Sequence, residues 1–223
     1  YFSNKKENNK NKYFNIINYN INELKLVDTG HKSVIITAAQ PNIGYCEKNP
    51  KDSYNVNVKA TLKTIEILLK TSIKIIFLSS DYVFEGTKGS YTDEDITKPT
   101  TEYGKQKKEV EDKLKNISSN INILRLSKIY GTQKGDKTLL DEAANLLKKN
   151  IPVSAAEDQY FCPTLIEDLV QVIDKVQNSS LKNKINICSD EIWSRYNLIL
   201  NLAGALNVNK NLVKKIKLYD MAG

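Results

Sequence analysis

Residues 73–81 read Ile-Lys-Ile-Ile-Phe-Leu-Ser-Ser-Asp. Ile73 to Ser79 is the strongest strand signal in the sequence, with the continuous apolar run Ile75-Ile76-Phe77-Leu78 at its centre. That is the pattern of a strand covered on both faces, as in a parallel sheet. Its polar end, Ser79-Ser80-Asp81, falls at the carboxyl edge, where ligands of open α/β sheets bind. Upstream, Ser33-Val34-Ile35-Ile36-Thr37 reads as a second strand of the same kind, ending in the small residues Ala38-Ala39 and then Gln40-Pro41. Phe14 to Ile17 reads as a short strand before it. Between them, Val56, Ala60, Thr64, Ile67 and Leu68 keep a helical period that predicts a helix over 52–70, capped by Asp52 or Ser53.

Downstream, a polar loop from Asp81 to Pro99 carries the turn signal Gly86-Thr87-Lys88-Gly89. A charged helix is predicted from Thr101 to Asn116 and a strand from Asn122 to Leu126. Helices are then expected over Leu139–Lys149 and Leu165–Val176, a strand over Lys184–Cys188, and a last helix over Ser194–Leu206. This β/α alternation predicts an α/β fold, a parallel sheet flanked by helices.

Composition narrows the function classes. The chain has 223 residues, 40% apolar and 26% charged, which suits an ordinary globular protein. Its apolar runs fall far short of the roughly 18–20 residues a membrane span needs, so no membrane role is expected. Residues 1–12 are polar, expected to fray, and contain no signal-peptide core. We expect a soluble cytoplasmic protein. The net charge is +7, but only Arg125 and Arg195 are arginines. Sites that read nucleic acid favour the planar fork of Arg, so no nucleic-acid partner is expected. One histidine, His31, and three scattered cysteines, Cys46, Cys162 and Cys188, argue against a Ser-His-Asp triad, a multi-histidine metal site and a disulfide framework.

The chemistry concentrates around the 73–81 strand. Tyr103 and Lys107 stand four apart at the start of the next helix and so share a face. An ammonium beside a phenol favours the phenolate, which makes the tyrosine a usable proton donor and acceptor near neutrality. A serine hydroxyl at the neighbouring strand end would hold a carbonyl oxygen before it. Together these groups suit protonation of an alkoxide formed when hydride adds to a ketone. The spacing alone is not selective, since Tyr1/Lys5 and Tyr130/Lys134 repeat it. Only Tyr103 follows a buried strand ending in Ser-Ser, across a loop, at a helix start. Elsewhere, Asp93-Glu94-Asp95 reads as a solvated loop in preference to a metal site, and Trp193 and Tyr196 as core in preference to a sugar pocket.

The block Ser79-Ser80-Asp81-Tyr82-Val83-Phe84-Glu85-Gly86, then Tyr91-Thr92-Asp93-Glu94-Asp95, Pro99 and Tyr103-Gly104-x-x-Lys107 with Glu111, resembles the extended short-chain dehydrogenase/reductases. Within them it is most similar to the dTDP-4-dehydrorhamnose reductases and to the regulatory beta subunit of methionine adenosyltransferase. The likeness runs from Ser33 to Leu206. It implies a Rossmann-type sheet with a small C-terminal substrate lobe, and NADP or NAD as cofactor. It implies reduction of a nucleotide-linked 4-keto-6-deoxysugar. Ser80 would hold the carbonyl, Tyr103 would act as general acid, and Lys107 would tune Tyr103 and hold the nicotinamide ribose. Ala38, Ala39 and Asn57 would lie on the cofactor side, and Arg125, Gln159 and Thr164 on the substrate side. The same motifs are shared by a non-catalytic, cofactor-binding regulatory subunit and by nucleotide-sugar epimerases and dehydratases. A homodimer, or a catalytic partner subunit in the regulatory case, is implied with them.

One family feature is missing. None of the nine glycines forms the Gly-x-x-Gly-x-x-Gly turn that lets a pyrophosphate approach a helix N-terminus. With Met221 as the only methionine, we expect both ends of a longer reductase to lie outside this sequence, and weak cofactor binding by the chain as it stands. The expected division is a cofactor domain over 1–131, without its first strand, and a substrate lobe over 132–223 interleaved with it.

Overall fold

The computed structural model describes residues 16–17, 30–115, 117, 120–180 and 184–222. In chain order the first elements are β1 (Ser33–Ile36), α1 (Ile43–Lys48), α2 (Pro50–Tyr54), a π-helical segment (Asn55–Ala60) and α3 (Thr61–Leu68). Then come β2 (Lys74–Ser80), a 3-10 turn (Asp81–Val83), α4 (Glu102–Leu114), β3 (Ile121–Leu126) and β4 (Ile129–Tyr130). The remainder comprises α5 (Leu139–Leu147), β5 (Val153–Ala156), β6 (Tyr160–Phe161), β7 (Thr164–Leu165), α6 (Ile166–Asn178), β8 (Lys184–Ile187), β9 (Trp193–Ser194), α7 (Arg195–Ala205) and β10 (Val213–Ile216). The chain divides into two units, Tyr1–Arg125 with Lys175–Asn186, and Leu126–Asp174 with Ile187–Gly223.

The first unit is built on a sheet of order β1-β2-β3-β8, with β1 and β2 parallel from Ser33↔Lys74 to Ile36↔Phe77. Ile75, Ile76 and Phe77 are wholly buried, as the unbroken apolar run requires. Helices supply Val58, Ile65, Leu68, Val110 and Leu114 to the core over Ile36, Ile75, Phe77 and Ile123. Among the described residues β1 ends the sheet, and Ile35 on it is 40% exposed. The C-terminal carbonyls of α6 are met by Lys74 Nζ, which donates to Val176 O and Ser179 O. A cation at a helix C-terminus also suits its dipole.

The helix expected over 52–70 begins earlier and is not uniform. Asn42 caps α1 by accepting from Tyr45 N–H, and Pro50 opens α2, where its missing N–H costs nothing. The turn then widens into the π segment, with Thr61 Oγ1 donating to Val56 O. Thr101, by contrast, caps α4 at the expected place, accepting from Gly104 N–H. Of the expected strand at 14–17 only Ile16 and Ile17 are described; residues 1–12 lie outside the described residues.

The second unit holds three small pairings, β10 with β5 and β4 with β7 in parallel, and β6 with β9 antiparallel. Its core is Ala143, Leu147, Val153, Ala155, Ile199, Ala203 and Val213, with Tyr196 packed against it as expected of a core aromatic. Among the described residues no helix is long and apolar enough to cross a membrane.

Candidate active site

β2 ends on two buried hydroxyls, Ser79 and Ser80. Ser80 is extended, and its Oγ accepts from Tyr82 N–H at 3.3 Å and donates to Asp81 Oδ1 at 3.1 Å. The serine therefore caps the tight turn that throws Tyr82 toward α4. There the helix comes unusually near: a Cβ on Gly104 would stand 2.1 Å from Tyr82 O. Only glycine permits that approach. Gly104→Ala is expected to cost about 1–3 kcal/mol, as overpacking against a backbone oxygen does, measured by urea denaturation. An unchanged midpoint would show that the helix does not pack so closely.

Tyr103, 8% exposed, meets the Tyr82 ring edge-on with centroids 6.1 Å apart. Lys107 is buried beneath it, its Nζ 5.7 Å from the Tyr103 ring centroid and 4.7 Å from that of Phe77. Lys107 Nζ donates to Leu78 O at 2.9 Å. Ser80 thus lies between Leu78, which takes the ammonium, and Tyr82, which packs on Tyr103 and Gly104. Burial pulls the ammonium of Lys107 down to about 8, and the Glu111 carboxylate opposes that shift. The group is still mostly charged at neutral pH, and it titrates where small changes of environment matter.

At the end of β1, Ala38 is half-buried and Ala39 buried. Ala39, Gln40, Tyr45, Ser53 and Val56 line a cavity of about 210 Å³. Asn57, expected on the cofactor side, is 1% exposed with both side-chain polar atoms taken. Its Oδ1 accepts from Gln40 N–H at 2.7 Å, and its Nδ2 donates to Gln40 O at 3.1 Å and to Gln106 Oε1 at 2.8 Å. Asn57 therefore ties the β1 end to α4 and is not presented to a ligand.

Arg125, expected on the substrate side, is also held by partners within the protein. It is 1% exposed, and Nε and Nη2 grip the Glu111 carboxylate at 2.7–3.1 Å while Nη1 donates to Asp93 O. Arg125 and Glu111 together line one wall of a cavity beside α4 and β3. Gln159 and Thr164 belong to the second unit. Thr164 is buried and donates to Cys162 O; Gln159 O accepts from Arg195 N–H, and Gln159 Oε1 is buried without a partner.

The acidic triplet is structural. Lys88 and the Thr92 N–H hold the Asp95 carboxyl down to about 2, and Asp93 Oδ1 accepts from Asn186 N–H. Among the described residues no acidic, histidine or cysteine cluster could hold a metal.

With this geometry in place, residues 9–219 match the family described as RmlD substrate binding domain. The chain belongs to the RmlD substrate binding domain family. Among curated relatives, it is 32% identical over 155 residues to the dTDP-4-dehydrorhamnose reductase of Aggregatibacter actinomycetemcomitans, covering 68% of this chain and 51% of that one. It is 23% identical over 192 residues to methionine adenosyltransferase 2 subunit beta of Rattus norvegicus, covering 82% and 57%. The chain thus spans about half the length of the curated relatives it matches. The crystal structure of dTDP-4-dehydrorhamnose reductase from Bacillus anthracis in complex with NADP shares its fold. The TM-score is 0.84 at 22% identity, covering 93% of this chain and 73% of that one. The Rossmann-type parallel sheet expected from the sequence is the fold observed.

In this RmlD-family chain, sequence reasoning did not single out Ser79 and Gln106, and it noted Glu111 only as part of a motif. The signal was there. Tyr103, Gln106, Lys107, Val110 and Glu111 recur at helical spacing, and all are buried on α4. A buried helix face with that many polar groups marks a hydrogen-bonded network. The residues present fit the nicotinamide end of a dinucleotide: small side chains at the β1 end, and an ammonium beside a phenol. The pyrophosphate end finds no glycine turn in this sequence.

Proposed function

We propose that the protein to which this chain belongs reduces a keto group on a nucleotide-linked 4-keto-6-deoxysugar, with NADPH or NADH as hydride donor. The observation that carries this reading is the buried Tyr103–Lys107 pair set against the Ser80 turn. The likeness to a dTDP-4-dehydrorhamnose reductase supports it. The cofactor supplies the hydride; the chain supplies the proton. The Ser80 hydroxyl turns its proton from Asp81 Oδ1 to the carbonyl oxygen, and Tyr103 gives its phenolic proton to that oxygen as negative charge develops. Lys107, held by Leu78 O, steadies the resulting phenolate and would hold the ribose of the cofactor. Ala38 and Ala39 are assigned to the cofactor side.

The test is turnover by the purified protein with each reduced cofactor, with and without a keto-sugar nucleotide. Nicotinamide absorbance is expected to fall only with the sugar present. The rate is expected to decline as pH rises through about 8, where Lys107 gives up its proton. The sign follows from the pair: a neutral amine no longer favours the phenolate.

The likeness to methionine adenosyltransferase 2 subunit beta favours one second reading, a cofactor-binding regulatory subunit. That reading requires no turnover with any sugar nucleotide, and copurification with a catalytic partner. Tightly retained cofactor with no net change in absorbance would point instead to an epimerase.

A further inference from the structure

The carboxylate of Glu111 joins three elements. It lies on α4 one turn beyond Lys107 and is 5% exposed. Oε1 accepts from Ser79 Oγ at 2.5 Å, on the strand residue next to Ser80. Arg125 of β3 closes on both oxygens, with Nη2 to Oε2 at 2.7 Å. The guanidinium is in turn stacked 4.9 Å from the Phe84 ring centroid. A single side chain thus sets α4, which carries Tyr103 and Lys107, in register with β2, which carries Ser80.

Stability alone does not account for such an arrangement. Well-packed apolar residues in place of a buried ion pair are often as stable or more so. A charge kept in the core beside a second buried charge needs another reason, and here the second charge is the ammonium of Lys107. An anion one helical turn away offsets the desolvation that drives Lys107 toward its neutral form. The structure assigns Glu111 as the positioning residue of this site, fixing the helix against the Ser79-Ser80 strand end and holding Lys107 charged. The assignment rests on the reading of Tyr103 and Lys107 as the reacting pair.

The groups around Lys107 leave Glu111 as the anion that acts on it. On α4 the Tyr103 ring lies over it and Glu111 stands one turn on; β2 offers the Phe77 ring and the Leu78 carbonyl; β3 brings Arg125 by way of Glu111. The turn after β2 brings Asp81, which accepts from Ser80, and Tyr82 against Tyr103. Other acids packed about α4 have their own partners, Glu47 at the Glu102 N–H and Glu109 at the Tyr54 hydroxyl.

The experiment uses the full-length protein with isotope-labelled lysine. The Lys107 side-chain resonance is assigned by its loss in Lys107→Met, and its titration is followed by NMR. In Glu111→Gln two effects run the same way: the anion is gone, and Arg125 is left uncompensated. The Lys107 midpoint is expected to fall by about one pH unit or more. If Glu111→Gln does not fold, Glu111→Gln/Arg125→Met removes both charges together and is expected to lower the midpoint in the same direction. On the keto-sugar nucleotide, kcat at pH 8 is expected to drop about tenfold with KM changed less than about threefold, because the loss lies in the reacting state. The alkaline limb of the rate profile should move to lower pH and return in Glu111→Asp, which keeps the charge. A Lys107 midpoint that stays put in the folded variant overturns the assignment. Absence of turnover in the unmodified protein would defeat the reductase reading instead, and the NMR titration would still decide the role of Glu111.

Discussion

Tyr103→Phe is expected to lower turnover of the keto-sugar nucleotide by roughly a hundredfold to ten-thousandfold, the usual worth of a positioned general acid. The substitution removes one oxygen and leaves the ring. The edge-on contact with Tyr82 at 6.1 Å and the position of the ring over Lys107 at 5.7 Å are both properties of the ring. Stability and cofactor affinity should therefore change little, measured by denaturation and by quenching of protein fluorescence on titration with the reduced cofactor. The combination is the informative result: turnover lost, binding kept. Equal loss of both would mean that the hydroxyl supports structure. Unchanged turnover would remove Tyr103 from the chemistry and favour the regulatory reading, in which the residue is inherited without use.

Arg125→Met is expected to destabilise the protein by about 3–5 kcal/mol, because it leaves the Glu111 carboxylate buried without a counter-charge, held only by the Ser79 hydroxyl. Arg125 is 1% exposed and Glu111 5%, so the pair is largely withdrawn from solvent. The double variant Glu111→Gln/Arg125→Met removes both charges and is expected to recover most of that loss. Urea denaturation of the single and double variants gives the coupling directly. The exposed pairs Lys98–Glu85, Lys105–Glu102 and Lys215–Glu157 provide the contrast. Breaking any of them should cost no more than about 1 kcal/mol, since solvent screens charges at the surface. A cost for Arg125→Met as small as theirs would show that the interior pair is solvated in solution.

Much of this was legible in the residues. The unbroken apolar run at 75–78 named a doubly covered strand because burial on both faces leaves no room for alternation. The Ser-Ser strand end and the Tyr103/Lys107 spacing placed Ser80, Tyr103 and Lys107 within one stretch of chain. Other features were hidden for physical reasons. Asn57 and Arg125 are polar residues of the kinds that line ligand sites, and sequence alone does not tell a ligand from a partner within the core. Their partners, Gln40 and Gln106 for one and Glu111 for the other, are brought to them by helix packing. The short strands of the second unit gave no pattern at all. β5 and β10 pair across some sixty positions, Val153 with Val213, and four residues cannot establish a period.

The sequence by itself determined the alternating α/β order, the covered strand and the phenol–ammonium pair, since all three follow from spacing along one element or between adjacent ones. Tertiary structure alone decided that Gly104 meets the Tyr82 carbonyl, that Lys107 is buried deeply enough to titrate near 8, and that Glu111 binds Ser79 and Arg125 at once. Those depend on how closely a helix settles on a sheet, a distance that packing sets and that no one-dimensional pattern encodes.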